Sequence, residues 1–282
     1  MVSLLDPTRV RALADELDLR PTKQRGQNFV IDANTVRRIV QLAELEPTDR
    51  VVEVGPGLGS LTLGLLEQAA HVLAIEIETS LAQRLPRTAE ELMPEHAANL
   101  EVIESDALAV TDLPGEPTAL VANLPYNVSV PVILHLLARA PSIRRGLVMV
   151  QLEVADRLVA EPGSRTYGVP SAKLAWYAEA SRVGTVPPKV FWPVPNVDSG
   201  LVRFTRREPP STSASREDVF RVVDAAFAQR RKMLRSALSS IAGSSAAAAE
   251  AIEAAGVDPQ ARGERLTITQ FAAIAEQLAL RG

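Results

Sequence analysis

The chain has no cysteine. It therefore has no disulfide, no thiolate nucleophile and no cysteine-ligated zinc, which fits a reducing compartment and makes the cytoplasm the expected location. It also lacks a long apolar run at its start. The first twenty residues, MVSLLDPTRVRALADELDLR, alternate apolar with charged positions, so they read as neither signal peptide nor membrane span, and a soluble chain is expected. A basic excess is missing too: 30 Lys and Arg stand against 34 Asp and Glu, a net charge of −4 and a pI near 5.6. That balance argues against a general polyanion binder. Histidine is scarce, and His71, His96 and His135 stand singly without a carboxylate pattern, so no metal site is expected. No internal repeat is present.

What is there is enough for a large fold. With 282 residues, 46% of them hydrophobic, the chain can build one full α/β domain and a smaller companion. Asp6-Pro7 reads as a helix start, with Val10, Leu13, Ala14 and Leu17 on one face, and Asp32 can cap a second helix burying Val36, Ile39, Val40 and Ala43. These form a helical extension over residues 1–45. From Arg50 onward, apolar runs at 51–54, 72–76, 101–103, 119–122 and 146–151 alternate with helical stretches near 60–69, 79–92, 130–139 and 152–160. Such alternation is the pattern of a doubly wound, Rossmann-like parallel sheet. Between 182 and 204, Pro187, Pro188, Pro193 and Pro195 separate two extended pieces expected to pair as antiparallel edge strands. The aperiodic EPPSTSAS, Glu208–Ser215, reads as a linker, which gives a domain over 1–208, a linker over 209–215 and an all-helical domain over 216–282. Trp176, Tyr177 and Trp192 are expected in packing.

Two motifs carry chemistry. The first, VVEVGPGLGS (Val51–Ser60), places Gly55, Gly57 and Gly59 in a turn between a strand and a helix, where open α/β sheets bind ligands and where a Cβ would block close approach. Ser60 stands where a dinucleotide fingerprint has its third glycine, which argues against a nicotinamide dehydrogenase, as does the absence of an identifiable proton-relay histidine or lysine. Glu76, about twenty residues on at the end of the next strand, can accept ribose hydroxyls; Asp106, after the third strand, can accept from an adenine amine. Ribose and adenine without phosphate describe S-adenosylmethionine.

The second motif is NLPY, Asn123–Tyr126, after the fourth strand and facing the same crevice. An exocyclic aromatic amine is a poor nucleophile, because its lone pair is delocalised into the ring, and it must be oriented. The Asn123 amide oxygen and the Leu124 or Pro125 carbonyl can accept its two hydrogens, and Tyr126 can stack on the base. Pro125 stiffens the turn and brings no N–H.

Six segments in order, KQRGQNFVID (23–32), VVEVGPGLG, NLPYN, MVQLEVADRL (149–158), FWPVPNVDS (191–199) and QRRKMLRSAL (229–238), resemble the ribosomal RNA adenine N6-dimethyltransferases, in particular their bacterial small-subunit, kasugamycin-sensitivity branch. The resemblance implies dimethylation by S-adenosylmethionine of two adjacent adenosines in the terminal hairpin loop of 16S ribosomal RNA, late in small-subunit assembly, by a protein taken as a monomer. It implies that Asn28 and Val30 touch the cofactor, with Val30 where the family usually has leucine. Gly55 would meet the methionine end beside Gly57, Glu76 the ribose and Asp106 the adenine. Asn123 would lie between cofactor and target, with Tyr126 and Phe191 sandwiching the adenine. Arg230, Arg231, Lys232 and Arg235 would meet RNA phosphates; the other basic clusters, Arg20/Lys23/Arg25, Arg37/Arg38, Arg144/Arg145 and Arg206/Arg207, read as solvated faces. The alternatives are a resistance methyltransferase of large-subunit RNA, which shares the GQNF, glycine-loop and NLPY segments, and a non-catalytic RNA-binding assembly factor.

Overall fold

A computed structural model describes residues 4–19 and 28–280. Its backbone divides into two compact units. The first comprises residues 1–155 and 181–206, and the second residues 156–180 and 207–282.

The first unit opens with α1 (Pro7–Glu16), β1 (Phe29–Val30) and α2 (Ala33–Leu42). Asp6 and Asp32 cap the two helices as their spacing predicts: Asp6 Oδ1 accepts from Arg9 N at 2.8 Å, and Asp32 Oδ1 from Thr35 N at 2.6 Å. Val36, Ile39, Val40 and Ala43 are all buried. The alternating elements follow as β2 (Arg50–Val54), α3 (Ser60–Leu66), β3 (His71–Glu76), α4 (Thr79–Leu92), β4 (Leu100–Glu104), β5 (Ala119–Asn123), α5 (Ser129–Arg139), β6 (Arg145–Gln151) and α6 (Leu152–Leu158). After α7 (Val169–Tyr177) come β7 (Ala178–Val186), β8 (Phe191–Trp192) and β9 (Ser199–Arg206).

Seven strands form one sheet in the order β4-β3-β2-β5-β6-β9-β7. The pairs from β4 to β6 are parallel and β9 runs antiparallel to β6. Val51, Val52, Glu53 and Val54 are all buried, so both faces of β2 are covered, as a parallel sheet between helix layers requires. The order reverses between β2 and β5, and ligands of such sheets bind at that switch point, outside the carboxyl ends of the strands. Of the extended pieces after 182, β7 and β9 are hydrogen-bonded neighbours as expected, but β9 also pairs with β6 and so is not an edge strand, while the two-residue β8 leaves the sheet and pairs antiparallel with β1, Phe29 opposite Trp192 and Val30 opposite Phe191. Proline explains the split, since Pro193 and Pro195 lack the N–H needed to continue a ladder.

Gly146 lies directly opposite Phe204 in the β6–β9 ladder. A Cβ there would overlap the Phe204 ring and come 2.5 Å from the Leu120 carbonyl oxygen. Gly146→Ala is therefore expected to lower stability by about 1–3 kcal/mol or more, through overpacking against backbone that cannot yield. An unchanged denaturation midpoint would contradict this.

The second unit contains α7, α8 (Arg216–Ala228), α9 (Leu234–Ala237), α10 (Ser239–Ala242), α11 (Ser245–Ala254) and α12 (Ile268–Ala279). Residues 156–180 group with residues 207–282 in this unit. The physical reason is the apolar side of α7. Leu174, Trp176 and Tyr177 are buried, and both aromatic rings meet Phe220 of α8 edge-on at 6.2 Å. The Tyr167 hydroxyl donates to the Leu266 carbonyl at 2.7 Å, and burial pushes that phenol up to about 12. Among the described residues no helix is long and apolar enough to cross a membrane.

Candidate active site

A crevice of about 280 Å³ opens at the carboxyl ends of β2, β3 and β5, and the two sequence motifs meet in it. Asn28, Val30, Gly55, Gly57, Glu76, Asp106, Asn123, Leu124, Pro125 and Tyr126 all line it. Gly55, Gly57 and Gly59 have φ of 67°, 58° and 97°, the left-handed region that side chains rarely adopt. At Gly57 space adds to the constraint, because a Cβ would lie 2.8 Å from the Phe29 ring. The glycine loop and β1 thus close on one another.

Glu76 is buried at the end of β3, and its two carboxylate oxygens are held by backbone: Oε2 accepts from Gly57 N at 3.1 Å and Oε1 from Glu78 N at 3.0 Å. Burial raises its pKa, while these N–H groups oppose the rise. Each oxygen keeps a lone pair for a ligand hydroxyl. Asp106 is exposed, with Oδ1 accepting from Leu108 N at 2.9 Å. Beside these two acids, the crevice is lined by Ile77 and Leu108, two of the few large apolar side chains that lie exposed, at 69% and 37%.

Sequence reasoning missed Glu53. Its side chain is 1% exposed and also lines the crevice. Burial pushes its carboxyl up to about 8; the nearby Thr62 hydroxyl works against the rise, and the Glu76 charge adds to it. The signal was in the motif, as an acidic residue inside an otherwise apolar buried strand has to be paired, protonated or functional.

At the acceptor end, Asn123 Nδ2 donates to the Asn28 carbonyl at 3.1 Å, which fixes the amide plane. Leu124 is buried and donates its N–H to the Met149 carbonyl at 3.1 Å. The Pro125 carbonyl accepts from Val128 N at 3.3 Å, which occupies one of its two lone pairs. Tyr126 OH and Ser199 Oγ are 2.9 Å apart, and burial raises the phenol's pKa, keeping it neutral. Phe191 does not join this group. Its ring is 1% exposed within the core, because β8 carries it into the pairing with β1, and it has no free face for a base. Trp192 next to it stacks on Phe29 at 6.2 Å.

In the second unit the basic segment runs from the turn after α8, which holds Arg230, Arg231 and Lys232, into α9, which holds Arg235. Arg231, Lys232 and Arg235 are exposed. Arg230 is engaged within the unit, with Nε on Glu264 at 2.9 Å and Nη2 on the Arg165 carbonyl at 2.8 Å. Other clusters are structural as well. Arg206 bonds the Ile143 carbonyl and the Leu137 and Ala140 carbonyls at the end of α5, and Arg145 pairs with Glu46 at 2.6 Å. Arg20, Lys23 and Arg25 lie outside the described residues.

The strand order, the antiparallel β9 and the crevice at the switch point define a Rossmann-like class I methyltransferase fold with a helical unit after it. Two solved structures share the fold: the 23S rRNA methyltransferase ErmE (31% identity, TM-score 0.65, covering 89% of this chain and all of that one) and a dimethyladenosine transferase from Plasmodium falciparum (22%, TM-score 0.72, 86% and 94%). The family model of the ribosomal RNA adenine dimethylases matches residues 19–280, and the chain belongs to that family. It is similar to proteins called ribosomal RNA small subunit methyltransferase A: 66% identical to that of Cutibacterium acnes over 99% of this chain and 96% of that protein, and 64% identical to that of Streptomyces griseus over 97% and 95%.

Proposed function

We propose that this protein transfers methyl groups from S-adenosylmethionine to the N6 amines of two adjacent adenosines in the 3′-terminal hairpin loop of 16S ribosomal RNA, giving N6,N6-dimethyladenosine late in small-subunit assembly. The observation that carries the reading is the meeting of the glycine loop and Asn123 in one crevice, with the Asn123 amide already oriented by Asn28. High identity to small-subunit enzymes along nearly the whole chain supports the choice of RNA.

The residues fit the cofactor. Glu76 offers acceptors for two ribose hydroxyls, Asp106 one for an adenine amine, and Ile77 with Leu108 gives a planar base the apolar contact that would otherwise face water. S-adenosylmethionine supplies an electrophilic methyl group on a sulfonium centre. What the protein contributes is position. With Nδ2 committed to Asn28, the Asn123 Oδ1 is the atom left to accept one hydrogen of the target amine, and the Leu124 carbonyl is the second acceptor. Two acceptors below the ring plane draw the nitrogen toward a pyramidal geometry and raise the availability of its lone pair. Tyr126 stacks on the adenine, worth about 1–3 kcal/mol for such a contact, and Ser199 holds its hydroxyl. No strong base is required, since the nitrogen is acidified once methylated and releases its proton afterwards. Phe191 takes no part in stacking in this scheme.

Arg231, Lys232 and Arg235 are proposed to meet RNA phosphates. Reversing all three to glutamate is expected to weaken subunit binding and to lower the slope of log K against log salt by about one per residue that touches phosphate. Reversing Arg230 instead should act on the folding of the helical unit, through Glu264 and Arg165. An unchanged slope in the triple variant would remove this surface from the reading.

The deciding experiment measures methyl incorporation from labelled S-adenosylmethionine into undermethylated small subunits, undermethylated large-subunit RNA and naked 16S RNA. N6,N6-dimethyladenosine confined to small subunits is the expected product. Label in large-subunit RNA would make this a resistance enzyme, and no label in any substrate would point to a binding factor.

A further inference from the structure

We infer that His135 is a positioning residue for the proposed reaction: through the Val110 carbonyl it fixes the turn that presents the Asp106 carboxylate to the adenine of the bound cofactor. The inference rests on the reading of the cofactor as S-adenosylmethionine.

His135 is one of three histidines in the chain. It stands on α5 one helical turn after Val132, so the two side chains share a face of the helix. Val132 lines the crevice; His135 lies outside that lining and reaches instead to residues 105–118, the segment between β4 and β5. Its Nε2 is 2.7 Å from the Val110 carbonyl oxygen. A carbonyl only accepts, so Nε2 carries the hydrogen and donates.

The bond matters because of what lies just before Val110. Ala109 N donates to the Asp106 carbonyl at 2.9 Å and Leu108 N to Asp106 Oδ1 at 2.9 Å, which closes residues 106–109 into a turn. Those two bonds set the shape of the turn and leave its placement to the flanks. On one side Ser105 N donates to the Glu76 carbonyl at 2.9 Å, which ties the turn to β3. On the other the His135 bond ties it to α5, a helix anchored by the buried Val132, Ile133, Leu136 and Leu137. A loop is the mobile part of a fold, and a ligand acceptor has to be held within about 0.5 Å of its mark to be useful. Asp106 is exposed, so a carboxylate that drifts is satisfied by water rather than by the ligand.

Calorimetry on the full chain tests this with two probes, S-adenosylhomocysteine and S-inosylhomocysteine. The second carries a carbonyl oxygen where adenine has its amine, so Asp106 loses its donor and faces an acceptor. The wild type is expected to prefer the adenosyl compound by about tenfold or more, the size of a lost hydrogen bond to a charged group. His135→Phe keeps the bulk of the ring and removes the donor. It should weaken the adenosyl compound about fivefold and leave the inosyl compound nearly unchanged, so that the preference falls to about twofold. His135→Gln, whose amide can donate to the same carbonyl, should recover most of the preference. An equal loss for both probes in His135→Phe would overturn the inference, since the ring would then serve packing alone, and an unchanged preference would overturn it as well. No preference in the wild type would take Asp106 away from the adenine and overturn the inference while leaving the cofactor in place. If neither probe binds, the cofactor reading fails and takes the inference with it. Where His135→Phe does not fold, nitrogen NMR of the wild-type histidines decides: the neutral His135 ring is expected as the Nε2–H tautomer with a slowly exchanging hydrogen, and the Nδ1–H tautomer would overturn the inference.

Discussion

Asn123→Ala is expected to cut methyl transfer by about 10³-fold while S-adenosylmethionine affinity changes only a few-fold, a loss of the size seen when one preorganised polar group is removed from a transition state. The asymmetry comes from geometry. Asn123 is the last residue of β5, and its side chain donates through Nδ2 to the Asn28 carbonyl at 3.1 Å and lines the crevice. In the proposed scheme cofactor binding draws instead on Glu76, Asp106 and the glycine loop. Truncation removes the acceptor that orients the amine and leaves the rest of the wall in place. Single-turnover methylation of undermethylated small subunits, measured beside calorimetric cofactor affinity, separates the two effects. Methylation at the wild-type rate would refute the role given to Asn123. A parallel loss of affinity would assign the residue to holding Asn28 rather than to the amine.

Much of this site was legible because its signals are local. Glycine at 55, 57 and 59 declares a turn, a carboxylate at each of two successive strand ends declares a ligand, and Asn123–Tyr126 declares a stiff polar corner; all need only the strand–helix alternation to be brought together. The caps at Asp6 and Asp32 were legible for the same reason. What escaped depends on partners distant in sequence. Nothing around Phe191 says that its strand would pair with β1 and bury the ring. Arg230 resembles its neighbours until Glu264, 34 positions later, is found beside it. The grouping of residues 156–180 with the helical unit is fixed by the contact of Trp176 and Tyr177 with Phe220, which no period in either segment encodes.

Glu53→Gln is expected to make the ligand-free protein more stable than wild type at pH 8 to 9 and to confer no such advantage at pH 4. In the unfolded chain this carboxyl titrates near its ordinary value of 4.5, whereas in the folded protein burial holds it at about 8. Between those values the folded state binds more protons than the unfolded state, so stability falls as pH rises through the window and the loss is complete above the folded value. Each unit of such a shift is worth about 1.4 kcal/mol, so the handicap at alkaline pH amounts to several kcal/mol, a large part of the stability of an ordinary domain. Glutamine cannot ionise and escapes it. Thermal denaturation of both proteins from pH 4 to 9 provides the check: the two curves should converge at the acid end and separate in favour of the glutamine variant as pH rises. A wild type at least as stable as the variant at pH 9 would mean that the carboxylate is accommodated in the free fold. The expected separation would instead show that β2 carries a destabilising acid in the wall of its crevice.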